Sequence, residues 1–136
     1  MIVADTNLVS YLLITGEHTE TARAAWSRDR DWVLPSLWRS EYLNVLAMAV
    51  RARVLEHDKA HTAWRVGVRL FGRSEREPSG TAVLDAAIEL GISAYDAQFV
   101  VVARDLKIPL VTADQRLRKA CAPLAVSPSD FARAAT

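Results

Sequence analysis

The 136-residue chain has one cysteine, Cys121, and three histidines, His18, His57 and His61. A lone cysteine closes no internal disulfide. A domain of this length buries roughly two-thirds of its unfolded surface, so its core needs none. The soft ligands of a structural zinc site are also too few, which leaves oxygen donors for any metal chemistry. Long apolar runs are missing: no stretch reaches the roughly 18 residues of a membrane helix. Met1 is followed by Ile2, Val3, Ala4 and Asp5 without the basic and apolar regions of a secretory signal, so a cytoplasmic location is expected. An excess of one charge is absent too. Seventeen Lys+Arg against 16 Asp+Glu give +1, which excludes a polybasic nucleic-acid coat and an acidic tail protein.

With 51% hydrophobic and 24% charged residues, the chain reads as one globular domain over residues 1–136. Its charge is unevenly spread, at −2 for residues 1–50, +4 for 51–76 and −1 for 77–136. The basic middle third carries Arg51, Arg53, Arg65, Arg69, Arg73 and Arg76, each most simply a solvated helix face.

Short apolar strands are expected at 2–4, 32–34, 108–111 and 124–126, alternating with helices. A polar break at 15–19 separates a short first helix from one at 20–28. Pro35-Ser36 opens a long helix over 37–53, and a basic helix follows at 57–71. The stretch 74–80 is the most loop-like. Thr81 to Leu90 is helical in composition, closed by Gly91, and Ser93-Ala94-Tyr95-Asp96 has the form of a capping box for a helix to 106. Ser127-Pro128-Ser129-Asp130 caps a last helix. This alternation points to a three-layer α/β/α fold with a mainly parallel sheet.

In such sheets the active site lies outside the carboxyl ends of the strands. Asp5 ends the first strand and Asp114 closely follows the third; either alone reads first as a helix cap. Glu41 falls on the helical wheel between Leu37, Val45 and Met48, and Asp96 is followed by Phe99, Val100 and Ala103 at i+3, i+4 and i+7. A carboxylate on an apolar face must meet a cation, donors or a metal, and a salt bridge to Arg39 is the plain alternative for Glu41. Two like charges 4 Å apart repel by about 4 kcal/mol at an effective dielectric near 20. Four acids sharing a cleft therefore require cations, and Mg²⁺ or Mn²⁺ suits an all-oxygen site.

The segments Ile2-Val3-Ala4-Asp5-Thr6-Asn7, Pro35-Ser36-Leu37-Trp38-Arg39-Ser40-Glu41, Ser93-Ala94-Tyr95-Asp96-Ala97 and Leu110-Val111-Thr112-Ala113-Asp114-Gln115-Arg116-Leu117 occur in this order. Together they resemble the PIN-domain ribonucleases, and within them the VapC-type toxins of bacterial toxin–antitoxin pairs, over essentially the whole chain. The resemblance implies that Asp5, Glu41, Asp96 and Asp114 form an acidic, catalytic metal site supported by hydrogen bonds from Thr6, Asn7 and Thr112. It further implies an RNA substrate, Mg²⁺ or Mn²⁺ as cofactor, a homodimer, and a small antitoxin whose tail lies over the site. Arg39 and Arg116, each two residues from a proposed ligand, are expected to grip a scissile phosphate or antitoxin carboxylates.

Two other readings stand beside this one. A haloacid-dehalogenase-like phosphatase also carries an aspartate after its first strand, but wants a second acid where Asn7 stands. A catalytically silent PIN-fold binding module would keep the fold and lose turnover. The tryptophans Trp26, Trp32, Trp38 and Trp64 are expected in the core, and the i, i+4 pair His57 and His61 on a polar helix face without a third ligand.

Overall fold

The computed structural model describes residues 1–134. Four short strands form one sheet: β1 (Ile2–Ala4), β2 (Trp32–Val33), β3 (Leu110–Val111) and β4 (Ala125–Val126). Every pair is parallel and the order is β2-β1-β3-β4. Such strands are buried on both faces, which is why they read as uninterrupted apolar runs rather than alternating ones. Between them run α1 (Thr6–Leu13), α2 (Thr19–Arg28), α3 (Trp38–Arg51), α4 (His57–Phe71), α5 (Gly80–Leu90), α6 (Ala94–Leu106) and α7 (Gln115–Ala120), with α8 (Pro128–Arg133) last. The result is the expected three-layer α/β/α arrangement. No single helix among the described residues is long and apolar enough to cross a membrane.

The helix ends follow local chemistry. Asp5, Ser79, Ser93, Asp114 and Ser127 each accept a backbone N–H of the first turn they precede. Gly91 closes α5 at φ 64°, a left-handed conformation that glycine adopts without strain. The loop-like segment 74–80 contributes one bridge, Leu34 to Glu75, rather than a strand. Helix α7 follows Asp114 directly, where the sequence suggests a cap but too short an apolar pattern to announce a helix.

Trp32 and Trp38 are fully buried with Tyr42 and Phe71, and the half-buried Trp26 and Trp64 pack around them. Trp32 stacks on Phe71 with centroids 5.7 Å apart, and Trp38 meets Phe71 edge-on at 6.0 Å. This cluster fixes α3 and α4 on the sheet. It also corrects the expected register of α3. The buried stripe is Trp38, Tyr42 and Leu46, whereas Leu37 and Val45 are half-buried and Met48 is 56% exposed. The bulkiest side chains take the core, which turns Glu41 toward the rim of a cleft rather than under the helix.

Candidate functional site

Strand order β2-β1-β3-β4 places the topological switch point between β1 and β3, where the chain leaves the sheet in two directions and a crevice opens beyond the carboxyl ends. The register Ala4 opposite Val111 brings the next residues, Asp5 and Thr112, side by side. A cleft of about 250 Å³ lies there, and its walls hold Asp5, Glu41, Asp96 and Asp114 together. Asp5 comes from the end of β1, Glu41 from the first turn of α3, Asp96 from the first turn of α6 and Asp114 from the start of α7. Four segments distant in sequence thus deliver one carboxylate each.

Three of the four acids have a defined anchor. Asp5 Oδ1 accepts the Leu8 N–H at 2.8 Å, and its Oδ2 accepts the Thr112 hydroxyl. The same hydroxyl oxygen accepts the Asp114 N–H at 3.1 Å, so Thr112 ties Asp5 to the Asp114 backbone. Asp114 Oδ1 accepts the N–H groups of Arg116 and Leu117 at 2.9 and 3.3 Å. The Thr6 hydroxyl donates to Glu41 Oε1 at 2.7 Å. Asn7 and Asn44 complete the polar walls, with Val45, Phe99 and Leu117 supplying the apolar ones. Asn44, one turn beyond Glu41 on α3, escapes the sequence reading, although its i+3 spacing places it on the same helix face.

The electrostatics are those of uncompensated negative charge. Among the described residues no lysine, arginine or histidine lines the cleft and none of the four acids forms an ion pair. Asp5 is nearly inaccessible, and its carboxyl is pushed up to about 6. Burial is the main cause, opposed by the Thr112 and Leu8 hydrogen bonds and reinforced by the charges of Asp114 and Glu41. Asp96 is raised as well, by burial and then by Asp114. The donors reaching Asp5 are neutral, so they orient the carboxylate without cancelling its charge.

Among the described residues, no three Asp, Glu, His or Cys side chains stand close enough to hold an ion as they are. The four acids line one cleft without closing on one point. An all-oxygen donor set with no internal cation fits Mg²⁺ or Mn²⁺ and suits zinc or copper poorly.

Arg39 is directed away from the cleft. Its Nε and Nη2 donate to Glu75 at 2.7 and 3.3 Å, and the same Glu75 accepts the Trp38 indole N–H at 2.7 Å. Glu75 therefore takes the place of both a bound phosphate and Glu41 as the partner of Arg39. Arg116 is exposed at the start of α7 with its backbone on Asp114, and its side chain is outside the cleft lining. The arginines of the basic middle third are exposed, as are His57 and His61, whose rings lie 4.8 Å apart on α4.

No curated protein sequence matches this chain. Among solved structures, PAE2754 from Pyrobaculum aerophilum superposes with a TM-score of 0.77 at 21% identity, over 96% of this chain and 85% of that one. FitAcB from Neisseria gonorrhoeae superposes with a TM-score of 0.70 at 20% identity, over 94% of this chain and 98% of that one. At such identities the likeness is one of fold. The sequence pattern of the PIN domain matches residues 2–123, a span that includes all four cleft acids, and the chain belongs to the PIN domain family.

Proposed function

We propose that this chain is a divalent-metal-dependent endoribonuclease, the toxin of a type II toxin–antitoxin pair, working as one nuclease domain over residues 1–136. The observation that carries the reading is the convergence of Asp5, Glu41, Asp96 and Asp114 in one cleft whose walls, among the described residues, hold no basic side chain. These four would hold Mg²⁺ or Mn²⁺. When bound, such an ion activates a water and stabilises the leaving oxygen of a phosphodiester.

The protein's own contribution is placement. Thr112 holds Asp5 with one oxygen facing its hydroxyl and keeps the β3–α7 turn beside it. Thr6 holds Glu41 across the gap between α1 and α3. Asp114 spends one oxygen on the α7 cap, and among the described residues the other has no hydrogen-bond partner and is available to a cation. Asn7 and Asn44 offer amides to a ribose or phosphate, and Phe99, Val45 and Leu117 keep that part of the wall dry. Arg116, whose backbone N–H caps onto Asp114, would carry its guanidinium to a substrate phosphate or an antitoxin carboxylate. Asn7 at the position of a second acid argues against the phosphatase reading.

Two apolar surfaces support protein partners, both a second copy and an antitoxin. One is a groove of about 560 Å³ between α3 and α4, with Leu43, Leu46, Val50 and Trp64 in its walls. The other is the outer face of α5, where Leu84 and Ile88 are exposed one turn apart. Contiguous exposed apolar area of this kind marks interaction surfaces. A cytoplasmic location accords with RNA as substrate.

The test is cleavage of a defined single-stranded RNA with Mn²⁺ or Mg²⁺, with EDTA and Asp5→Asn as controls. Cleavage confined to the wild type with metal supports the reading. Cleavage that survives EDTA and Asp5→Asn removes the mechanism, and a wild type inert on RNA that still pairs with the product of a neighbouring gene favours the silent module.

A further inference from the structure

A second polar pocket, of about 240 Å³, opens at the same end of the sheet. Its walls include Tyr11, His18, Thr21, Arg118, Ser127 and Ser129. Ala113 lines it while the next residue, Asp114, lines the acidic cleft, so the β3–α7 turn is a wall common to both. Helix α1 is common to both as well. Asn7 faces the cleft, and Tyr11, four residues on and therefore on the same helix face, faces the second pocket. The two sites are adjacent along about one helical turn, ~5 Å.

The side chains differ in kind from those of the cleft. Tyr11 and His18 form an aromatic pair with centroids 4.5 Å apart and planes tilted by 39°. Arg118 is anchored through Nη1 to the Thr112 carbonyl at 2.8 Å. Among the described residues no carboxylate lies within ion-pair distance of it, so its other N–H groups remain for an anion. Thr21, Ser127 and Ser129 add hydroxyls. The nearby acids are engaged elsewhere. Glu17 lies 3.4 Å from His18 Nε2 but is 86% exposed and outside the pocket walls, and Asp130 pairs with Arg133 at 2.5 Å.

A guanidinium with hydroxyls suits a phosphate, and a tilted aromatic pair suits the flat face of a base. A run of acidic residues would use the first alone, whereas a nucleotide carries an anion and a flat ring on one unit. Resting on the ribonuclease reading above, we infer that this pocket binds a nucleotide of the RNA strand flanking the cleavage position, with Arg118 on its phosphate and Tyr11 and His18 on its base. The anchor of Arg118 gives the subsite a fixed relation to the chemistry. Thr112 receives Arg118 on its carbonyl and gives its hydroxyl to Asp5, so a strand seated here is held in register with the acidic cleft.

The experiment measures binding without turnover, by fluorescence anisotropy of an end-labelled single-stranded RNA in EDTA. Tyr11→Leu, His18→Gln and Arg118→Gln are each expected to raise Kd about ten-fold, the worth of one charge-assisted hydrogen bond or one stacked base. Arg118→Gln is also expected to lower the slope of log affinity against log salt by about 0.7, one phosphate contact on a single strand. Arg69→Gln, on the exposed face of α4, should change neither. With Mn²⁺ present, KM rises in the three variants while kcat stays within about two-fold.

Should Arg118→Gln lose its fold with its anchor, His18→Gln decides, because His18 is exposed and its side chain makes no cap hydrogen bond to α2. Unchanged affinity in His18→Gln and Tyr11→Leu overturns the subsite even if the wild type cleaves RNA, as does a wild type that binds no RNA. A wild type that binds with these differences yet never cleaves overturns the nuclease reading and supports the subsite. A glutamate-rich peptide whose binding is weakened by the variants, while RNA binding is untouched, identifies a protein occupant and overturns it.

Discussion

Replacing Asp5 by asparagine is expected to stabilise the metal-free protein at neutral pH while abolishing its chemistry. The Asp5 carboxyl is raised from 3.8 to about 6 in the fold. A tenfold change in proton affinity is worth about 1.4 kcal/mol, so the ionised group destabilises the folded state by about 3 kcal/mol once the pH exceeds 6. The sign follows from proton uptake. Between about pH 4 and 6 the folded protein holds a proton on Asp5 that the unfolded chain has released, so stability falls as pH rises through that window and levels off above it. Asp96 is shifted the same way and adds to the slope. Asp29, Glu75 and Asp130 are shifted down, so their contributions are lost only at lower pH.

Asparagine keeps the local geometry, since its oxygen can accept the Leu8 N–H and its amide can donate to the Thr112 hydroxyl. For a domain of 136 residues, 1 kcal/mol moves Tm by about 3 to 4 °C, so the gain amounts to as much as about 10 °C. The assay is thermal unfolding of wild type and Asp5→Asn in EDTA across about pH 4 to 8. The difference between the two proteins isolates Asp5: near zero at the acid end, growing through pH 5 and 6, constant beyond. Adding Mn²⁺ should then raise the wild type and leave the variant unmoved, because binding to the folded state alone stabilises it. A variant that melts below the wild type in EDTA at neutral pH, or a gap independent of pH, would refute the account of Asp5 as a buried charge awaiting a cation.

Glu41→Gln retains an acceptor for the Thr6 hydroxyl and should cut RNA cleavage by at least about a hundred-fold with Tm unchanged or raised, which kinetics and calorimetry on one preparation check. Glu75→Ala removes the acceptor of the buried Trp38 N–H and is expected to lose about 1 to 3 kcal/mol in urea unfolding, with Glu75→Gln recovering most of it. The half-exposed Arg39 pair adds little to that figure. Gly67→Ala puts a Cβ 2.9 Å from Tyr42 Cε2 and 3.4 Å from Leu13 Cδ1, so despite the better helix propensity of alanine it should lose about 1 kcal/mol or more; a gain would mean that α3 and α4 pack loosely there.

How far the site can be read from the sequence depends on the range of the interactions. The strands, the caps and the helix bounds are local, and α4 runs over His57–Phe71, where the sequence places a basic helix. The face of α3 is decided by competition. Leu37, Val45 and Met48 form as good an apolar stripe on the wheel as Trp38, Tyr42 and Leu46. Only the depth of the aromatic cluster with Phe71 chooses between them. The partner of Arg39 lies further still from local reach, because Glu75 is 36 residues away, and His18 and Arg118 come to line one pocket only through the tertiary fold.

The two readings of Asp5 and Asp114, helix cap or cleft acid, compete in the sequence but not in the fold. A carboxylate has two oxygens, and both residues use Oδ1 on their helix. In Asp5 the second oxygen meets Thr112, and in Asp114 it is left over. The cap is thus the means by which a short loop holds a charged group still at the switch point, where the sheet itself supplies no side chain. An acid that caps its helix at the carboxyl end of a parallel strand is for that reason better placed for metal chemistry than one held by a salt bridge, whose cation would already have neutralised it.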